Sequence, residues 1–366
     1  DKQALRLLVL DSTDPGQVKT IRESVDLEKT LFIVASKSGT TGEINAFLDY
    51  FWSECSEAFG PQAGEHFIAI TDPSTRLETL AKERGFRKVI NADPQVGGRN
   101  SALTAFGMIP AALIGMDVSR ILENARSMAS YCLPEKPLKA NPGVVLGAIL
   151  GAAAKHGRDK LTVITDHEWI PFGAWMEQLI AESSGKVGRG IVPVANESFL
   201  PVNEYHDDRL FVYLRQTGER QSQVDGLLAI GQPVIVLDVA DAYSLGGQFY
   251  LWEIATATAC SILGVNSFDQ PDVQDAKTRT LRRLEEYRQK GKFEEFRPAV
   301  TILGTDIFTK QNWTCQSGTS LHVAVMDFLA KNVKKTDYIA INAFLPRNSE
   351  NEALLQRFRE DILREF

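Results

Sequence analysis

The sequence predicts an α/β protein with largely parallel sheets: two such units in tandem, then a smaller α/β extension. Short β-rich apolar runs at residues 31–35, 67–71, 161–165, 210–214 and 233–239 alternate with longer helical patterns, and this alternation builds parallel strands covered by helices. A chain of 366 residues is also longer than one ordinary domain. Residues 133–142, with three prolines, two lysines and little periodicity, read as a linker between the two units.

Each element has its own warrant. Residues 4–10 are an apolar run read as a strand already in progress, and the chain stops at Phe366 inside a charged, helix-like segment, so an incomplete chain is expected at both ends. The run 31–35 is followed by a polar turn, then by Ile44, Phe47, Leu48 and Phe51 at the spacing of one helix face. Beyond the linker, residues 174–181 read as a helix ending at Glu182, just before Gly185. The aromatic-rich stretch 246–253 is expected to be core, and the mixed-charge helix 279–292 to be solvated. A further boundary is placed after the charged run 279–297, with strands expected at 299–303 and 338–344.

Composition excludes several classes of function. With 40 basic and 47 acidic residues, a net charge of −7, the chain has no general electrostatic attraction for nucleic acid or an anionic membrane, so an anionic ligand must be held by a local site. The longest weakly polar stretch, 143–154, is far shorter than the ~20 residues a spanning helix needs, and no apolar leader is present. A soluble cytoplasmic protein is expected. Cys55, Cys132, Cys260 and Cys315 have no paired spacing and read as buried free thiols, with neither disulfide nor zinc site. No metal or cofactor is expected.

The most informative stretch is Ser36-Lys37-Ser38-Gly39-Thr40-Thr41-Gly42-Glu43, between a strand and an amphipathic helix. Small hydroxyl residues and glycine let backbone N–H groups converge at a helix N-terminus, where the dipole favours an anion. Neither the nucleotide P-loop nor the three-glycine dinucleotide pattern is present, so a monophosphate fits better. The same residues can also form a plain turn and helix cap.

This loop resembles the SIS sugar-phosphate-binding domain, and three further stretches narrow the resemblance to the phosphoglucose isomerase family. Gly97-Gly98-Arg99-Asn100-Ser101 with the following Ala102 to Gly107 is similar to one family signature, and the run from Asn266 to Lys277 to another. Gln178 to Lys186 is similar to the segment carrying the family's catalytic glutamate. All lie in family order. The departures are Asn100, where the family has an aromatic residue, a missing upstream glycine-serine loop, and a longer tail whose residues 337–363 resemble those of fused transaldolase/phosphoglucose isomerase proteins.

The resemblance implies two α/β/α sandwich SIS-type domains, 1–135 and 136–280, and an α/β extension at 281–366. It implies a cofactor-free isomerase interconverting glucose 6-phosphate and fructose 6-phosphate through a cis-enediolate, working as a homodimer, with any transaldolase part outside this chain. A single carboxylate can carry the proton between adjacent carbons, and a fixed guanidinium can stabilise the enediolate; by resemblance these are Glu182 and Arg99. Lys277 and His206 are implied for ring opening, the histidine reaching a partner subunit's site. Substrate contacts are implied for Ser36, Lys37, Ser38, Thr40, Thr41, Gly98, Gln178 and Gln270. Read without the resemblance, Glu182 is a helix-end carboxylate and His206 a loop histidine among acids. A non-catalytic sugar-phosphate sensor and an isomerase that also takes mannose 6-phosphate remain the alternatives.

Overall fold

The computed structural model describes residues 5–365 except 294, 312, 316, 317, 335 and 336, and the side chains of 272–274 also lie outside the description. The chain forms two compact units, one of residues up to 268 with 344–357, the other of 269–343 with 358 onward.

The first unit opens with α1 (Pro15–Ser24), β1 (Phe32–Ala35), α2 (Gly42–Phe59), β2 (Phe67–Thr71), α3 (Arg76–Glu83) and β3 (Lys88–Asn91). The three strands pair in parallel in the order β1-β2-β3. The central strand β2 is buried along its whole length, as an apolar run covered on both faces must be. The helical spacing seen in the sequence becomes a buried stripe of Leu48, Phe51 and Cys55 on α2. Phe67 anchors the core, with its ring 5.0 Å from Phe32 and 5.1 Å from Phe86.

Next come α4 (Ala105–Leu113), α5 (Val118–Tyr131) and α6 (Pro142–Lys155), followed by β4 (Lys160–Thr165), α7 (Ile170–Ser184), β5 (Val192–Ala195), β6 (Arg209–Arg215), α8 (Gln221–Ala229), β7 (Val234–Asp238) and α9 (Leu245–Leu263). The second sheet is parallel, in the order β5-β4-β6-β7. Pro193 lies in the edge strand β5, where its missing N–H costs no interior ladder bond. Gly143, Gly147 and Gly151 line one face of α6, and a Cβ at Gly147 would stand 2.3 Å from the Ala255 carbonyl oxygen of α9. The two helices therefore meet almost backbone to backbone. The stretch 246–253 is core, as expected: Trp252 is fully buried on α9 and Leu251 beside it nearly so.

The second unit holds α10 (Pro271–Lys290), the antiparallel pair β8 (Val300–Ile302) and β9 (Thr305–Ile307), and α11 (Leu321–Asn332). Ile302, Trp313 and Ala324 form its small core. The last helix, α12 (Ser349–Glu365), begins in the first unit.

Three expectations fail. Residues 5–10 and 338–344 have no strand pairing, and Leu5, Leu7, Val9, Tyr338 and Phe344 are exposed; an apolar run becomes a strand only where a ladder partner exists. Cys55, Cys132 and Cys260 are buried but Cys315 is only half-buried. The strands β3 and β5 escaped notice because each is four residues long, one ending in polar side chains and the other containing proline.

One polar group sits deep in the second sheet. Asp166, 2% exposed directly after β4, accepts hydrogen bonds from Tyr213 Oη at 2.5 Å and from the backbone N–H groups of Gln216, Thr217 and Gly218 at 2.8, 2.6 and 2.9 Å. Burial alone would raise the carboxyl pKa, but the Tyr213 hydroxyl and the three N–H donors outweigh it and hold the group far below the usual range. Burial, then the hydrogen bond to this carboxylate, pushes Tyr213 up to about 12. Because the folded value lies below the ordinary 3.8, the stabilisation is complete above that value and is lost as pH falls towards the folded one. Asp166→Ala should therefore cost about 3 kcal/mol or more near neutrality, since several charge-assisted bonds are lost at once. Urea unfolding should show the gap between wild type and variant narrowing below pH 4; a gap independent of pH would contradict this account.

Candidate active site

The loop after β1 is shaped by its neighbours before any ligand arrives. Ser36 N–H donates to the Ile70 carbonyl at 3.0 Å, and the Lys37 carbonyl accepts from Asp72 N–H at 3.1 Å and Thr71 Oγ1 at 3.3 Å. Gly39 has φ +65°, and a Cβ there would lie 2.9 Å from the Leu77 backbone nitrogen, so both the conformation and the space call for glycine. Ser36 Oγ donates to Thr41 Oγ1 at 3.2 Å, and Ser38 Oγ and Thr40 Oγ1 share a hydrogen bond at 2.9 Å. Ser38 and Thr40 are exposed.

Thr41 is the N-cap of α2 and makes no side-chain capping bond, as is also the case at α7, α8, α9 and α10, whereas Asp14, Thr75, Asp117 and Asn141 cap α1, α3, α5 and α6. The first N–H groups of an 18-residue helix are thus left for an outside acceptor, and the helix dipole makes an anion the favoured one.

Lys37 behaves differently from the hydroxyl residues around it. Its ammonium donates to Asp72 Oδ1 and Oδ2 at 2.9 and 2.7 Å and to the Asp93 carbonyl at 3.0 Å. The side chain is thus held by acceptors of the protein itself. Asp72 and Asp93 were not singled out in the sequence; the only signal was an aspartate directly after the buried strand β2.

Arg99 sits in a short turn of Gly98–Asn100 and its side chain is 5% exposed. A Cβ at Gly97 or Gly98 would meet no protein atom within 4 Å, so space beside this turn is open. Arg99 Nε lies 3.7 Å from Oε2 of Glu182, on the last turn of α7, and Gln178 Nε2 donates to Glu182 Oε1 at 3.2 Å. The four-residue spacing that places Gln178 and Glu182 on one helix face brings them into contact. One carboxylate therefore has an amide on one oxygen and a guanidinium on the other.

Two cations missed in the sequence support this region. Lys186 Nζ bonds the Asn266 carbonyl, and Arg189 Nη1 donates to the Leu263 carbonyl at 2.8 Å. They tie the segment after α7 to the start of the second signature stretch and to the end of α9. Of the remaining sequence candidates, one lies in the first unit and two in the second. His206 is exposed on the turn into β6, its carbonyl accepting from Gln232 Nε2 at 3.3 Å, and its ring makes no bond to Arg99, Gln178 or Glu182. Gln270 is the N-cap of α10 and Lys277 is exposed on that helix, both in the second unit.

A parallel α/β scaffold with a hydroxyl-rich loop at a helix N-terminus and a carboxylate held beside a buried guanidinium has the layout of an α/β enzyme. The family model for phosphoglucose isomerase matches residues 1–197, and the chain belongs to that family. The match includes the loop, Arg99, Gln178 and Glu182 but not His206, Gln270 or Lys277. The glucose-6-phosphate isomerase of Carboxydothermus hydrogenoformans is 28% identical over 332 residues, covering 76% of this chain and 70% of the relative. That of Methanocaldococcus jannaschii is 26% identical over 307 residues, covering 73% and 75%. Among solved structures, a hypothetical protein of Thermus thermophilus superposes with TM-score 0.67 at 25% identity, covering 75% of this chain and 76% of the other. A glucose-6-phosphate isomerase of Chlamydia trachomatis shares the fold at TM-score 0.66 and 20% identity, covering 75% and 63%.

Gly39→Ala should weaken binding of inorganic phosphate several-fold, because the αL conformation costs a non-glycine residue roughly 1 kcal/mol before the contact with Leu77 is relieved. Calorimetric titration checks this. Wild-type affinity in a folded variant would show that the loop does not hold the anion.

Proposed function

We propose that this chain isomerises glucose 6-phosphate and fructose 6-phosphate, with Glu182 as the base that moves the proton. The observation that carries this reading is the Arg99–Glu182 pair, 3.7 Å apart, at a point where space opens beside Gly97 and Gly98. The names of the curated relatives support it.

The phosphate sits at the N-terminus of α2, taking backbone N–H groups and the hydroxyls of Ser38, Thr40 and Thr41. Glu182 removes the proton from C2 of the open-chain aldose, and the electron pair forms the C1–C2 double bond of the enediolate while charge gathers on the C1 oxygen. Arg99 stabilises that charge, which exists only along the reaction path, so its effect falls on turnover. The proton of the C2 hydroxyl passes to the C1 oxygen, and Glu182 then returns its proton to C1 as the C2 carbonyl forms, giving the ketose. Gln178 fixes one oxygen of the carboxylate and leaves the other facing Arg99 and the substrate. Gln270 is assigned a substrate contact, and Lys277 and His206 the ring-opening proton transfers, on the family resemblance. A homodimer, a cytoplasmic setting, a fused transaldolase part and the division into domains 1–135, 136–280 and 281–366 rest on the same ground. Among the described residues no helix is long and apolar enough to cross a membrane.

Glu182→Gln keeps the shape but cannot accept a proton, so kcat should fall by about a hundred-fold or more with little change in sugar-phosphate affinity. Arg99→Ala should lower kcat separately and erase much of the tight binding of a five-carbon aldonate phosphate that mimics the enediolate. A coupled assay with glucose 6-phosphate and mannose 6-phosphate measures turnover and epimer choice. Normal turnover by Glu182→Gln would remove the base assignment.

A further inference from the structure

We propose that Lys37 is a positioning residue that ties the anion-binding loop to the turn bearing Arg99. The proposal uses the isomerase reading for one of its readouts and assigns work to a side chain that touches no substrate.

Lys37 lies in the segment leaving β1, Asp72 in the segment leaving β2 and Asp93 in the segment leaving β3. One ammonium joins all three, its nitrogen lying 2.7–3.0 Å from both carboxylate oxygens of Asp72 and from the Asp93 carbonyl. An ammonium has three donors and no more, so these acceptors compete with any phosphate oxygen for them. The Asp93 carbonyl also accepts from Val96 N–H at 3.2 Å, opening the turn whose next step, Asn100 N–H to the Gly97 carbonyl at 3.1 Å, encloses Arg99. The Lys37 and Asp72 side chains are 24% and 16% exposed, so their pairing is less screened than a surface ion pair. The Lys37 carbonyl is held by Asp72 N–H and Thr71 Oγ1 as well. Both ends of this residue are anchored to the exit of β2, while its tip reaches the stretch leading to Arg99. Phosphate affinity and the placement of the guanidinium thus depend on one shared tie.

The discriminating variant is Asp72→Asn. If Lys37 positions the loop, removing its carboxylate partner loosens the tie, so binding of inorganic phosphate weakens and kcat for fructose 6-phosphate falls about ten-fold through displacement of Arg99. Lys37→Met should show the same fall in kcat, and the double variant Lys37→Met/Asp72→Asn should be no worse than either alone, the mark of residues acting as one unit. Lys37→Arg, which can still reach both acceptors, should recover most of the turnover. If Lys37 instead contacts phosphate, Asp72→Asn releases it from a competitor: phosphate binding tightens and kcat holds, and either result overturns the proposal. Thermal melting confirms that the variants are folded, and should Lys37→Met fail to fold, Asp72→Asn and Lys37→Arg decide alone. A wild type that binds phosphate without isomerase activity would defeat the function proposed above, and the direction of the Asp72→Asn effect on phosphate binding would still test the role of Lys37.

Discussion

A carboxylate that must gain and lose a proton beside a guanidinium is useful only if neither side chain can collapse onto the other. Here the Arg99–Glu182 separation of 3.7 Å is an ion-pair distance, longer than a hydrogen bond, and both partners are fixed from behind. Arg99 is buried within a hydrogen-bonded turn. Glu182 ends a helix whose Phe172, Met176, Leu179 and Ile180 are locked in the core. The rest of the first unit can be read as the framework that holds this separation.

The precision of that framework comes from contacts with little slack. Between α6 and α9 the glycine face removes the side-chain layer that normally cushions a helix pair, so a single added methyl group would have to displace backbone. Such packing resists small displacements, and α7 leans on the same helix pair through a continuous apolar cluster that includes Trp252 and Met176. The loop after β1 is built differently, from hydroxyls and one left-handed glycine. Rigidity is concentrated around Glu182, and adaptable polar groups around Ser38 and Thr40.

How much of this was legible in the sequence depended on whether the physics was local. The five apolar runs that alternate with helical patterns all proved to be strands, and the Ile44–Phe51 periodicity a buried helix face, because each has a covering neighbour close in the chain. Residues 5–10 and 338–344 misled because strand identity needs a partner that no local pattern specifies. In the site, Gln178 and Glu182 were paired by helix geometry, and the glycine-rich turn pointed to Arg99. The contacts of Lys37 were invisible, because its acceptors lie 35 and 56 residues away and no local pattern specifies them.

The second sheet carries a cradle of N–H groups as well. Three successive N–H groups, Gln216 to Gly218, converge just before α8, and the Asp166 carboxylate already fills the space between them. An arriving phosphate would meet a fixed negative charge with its hydrogen bonds already formed. Two layers of similar architecture are thereby made unequal, because the second carries its own acceptor where the first has none built in, and an anion would have to displace a buried carboxylate to enter it.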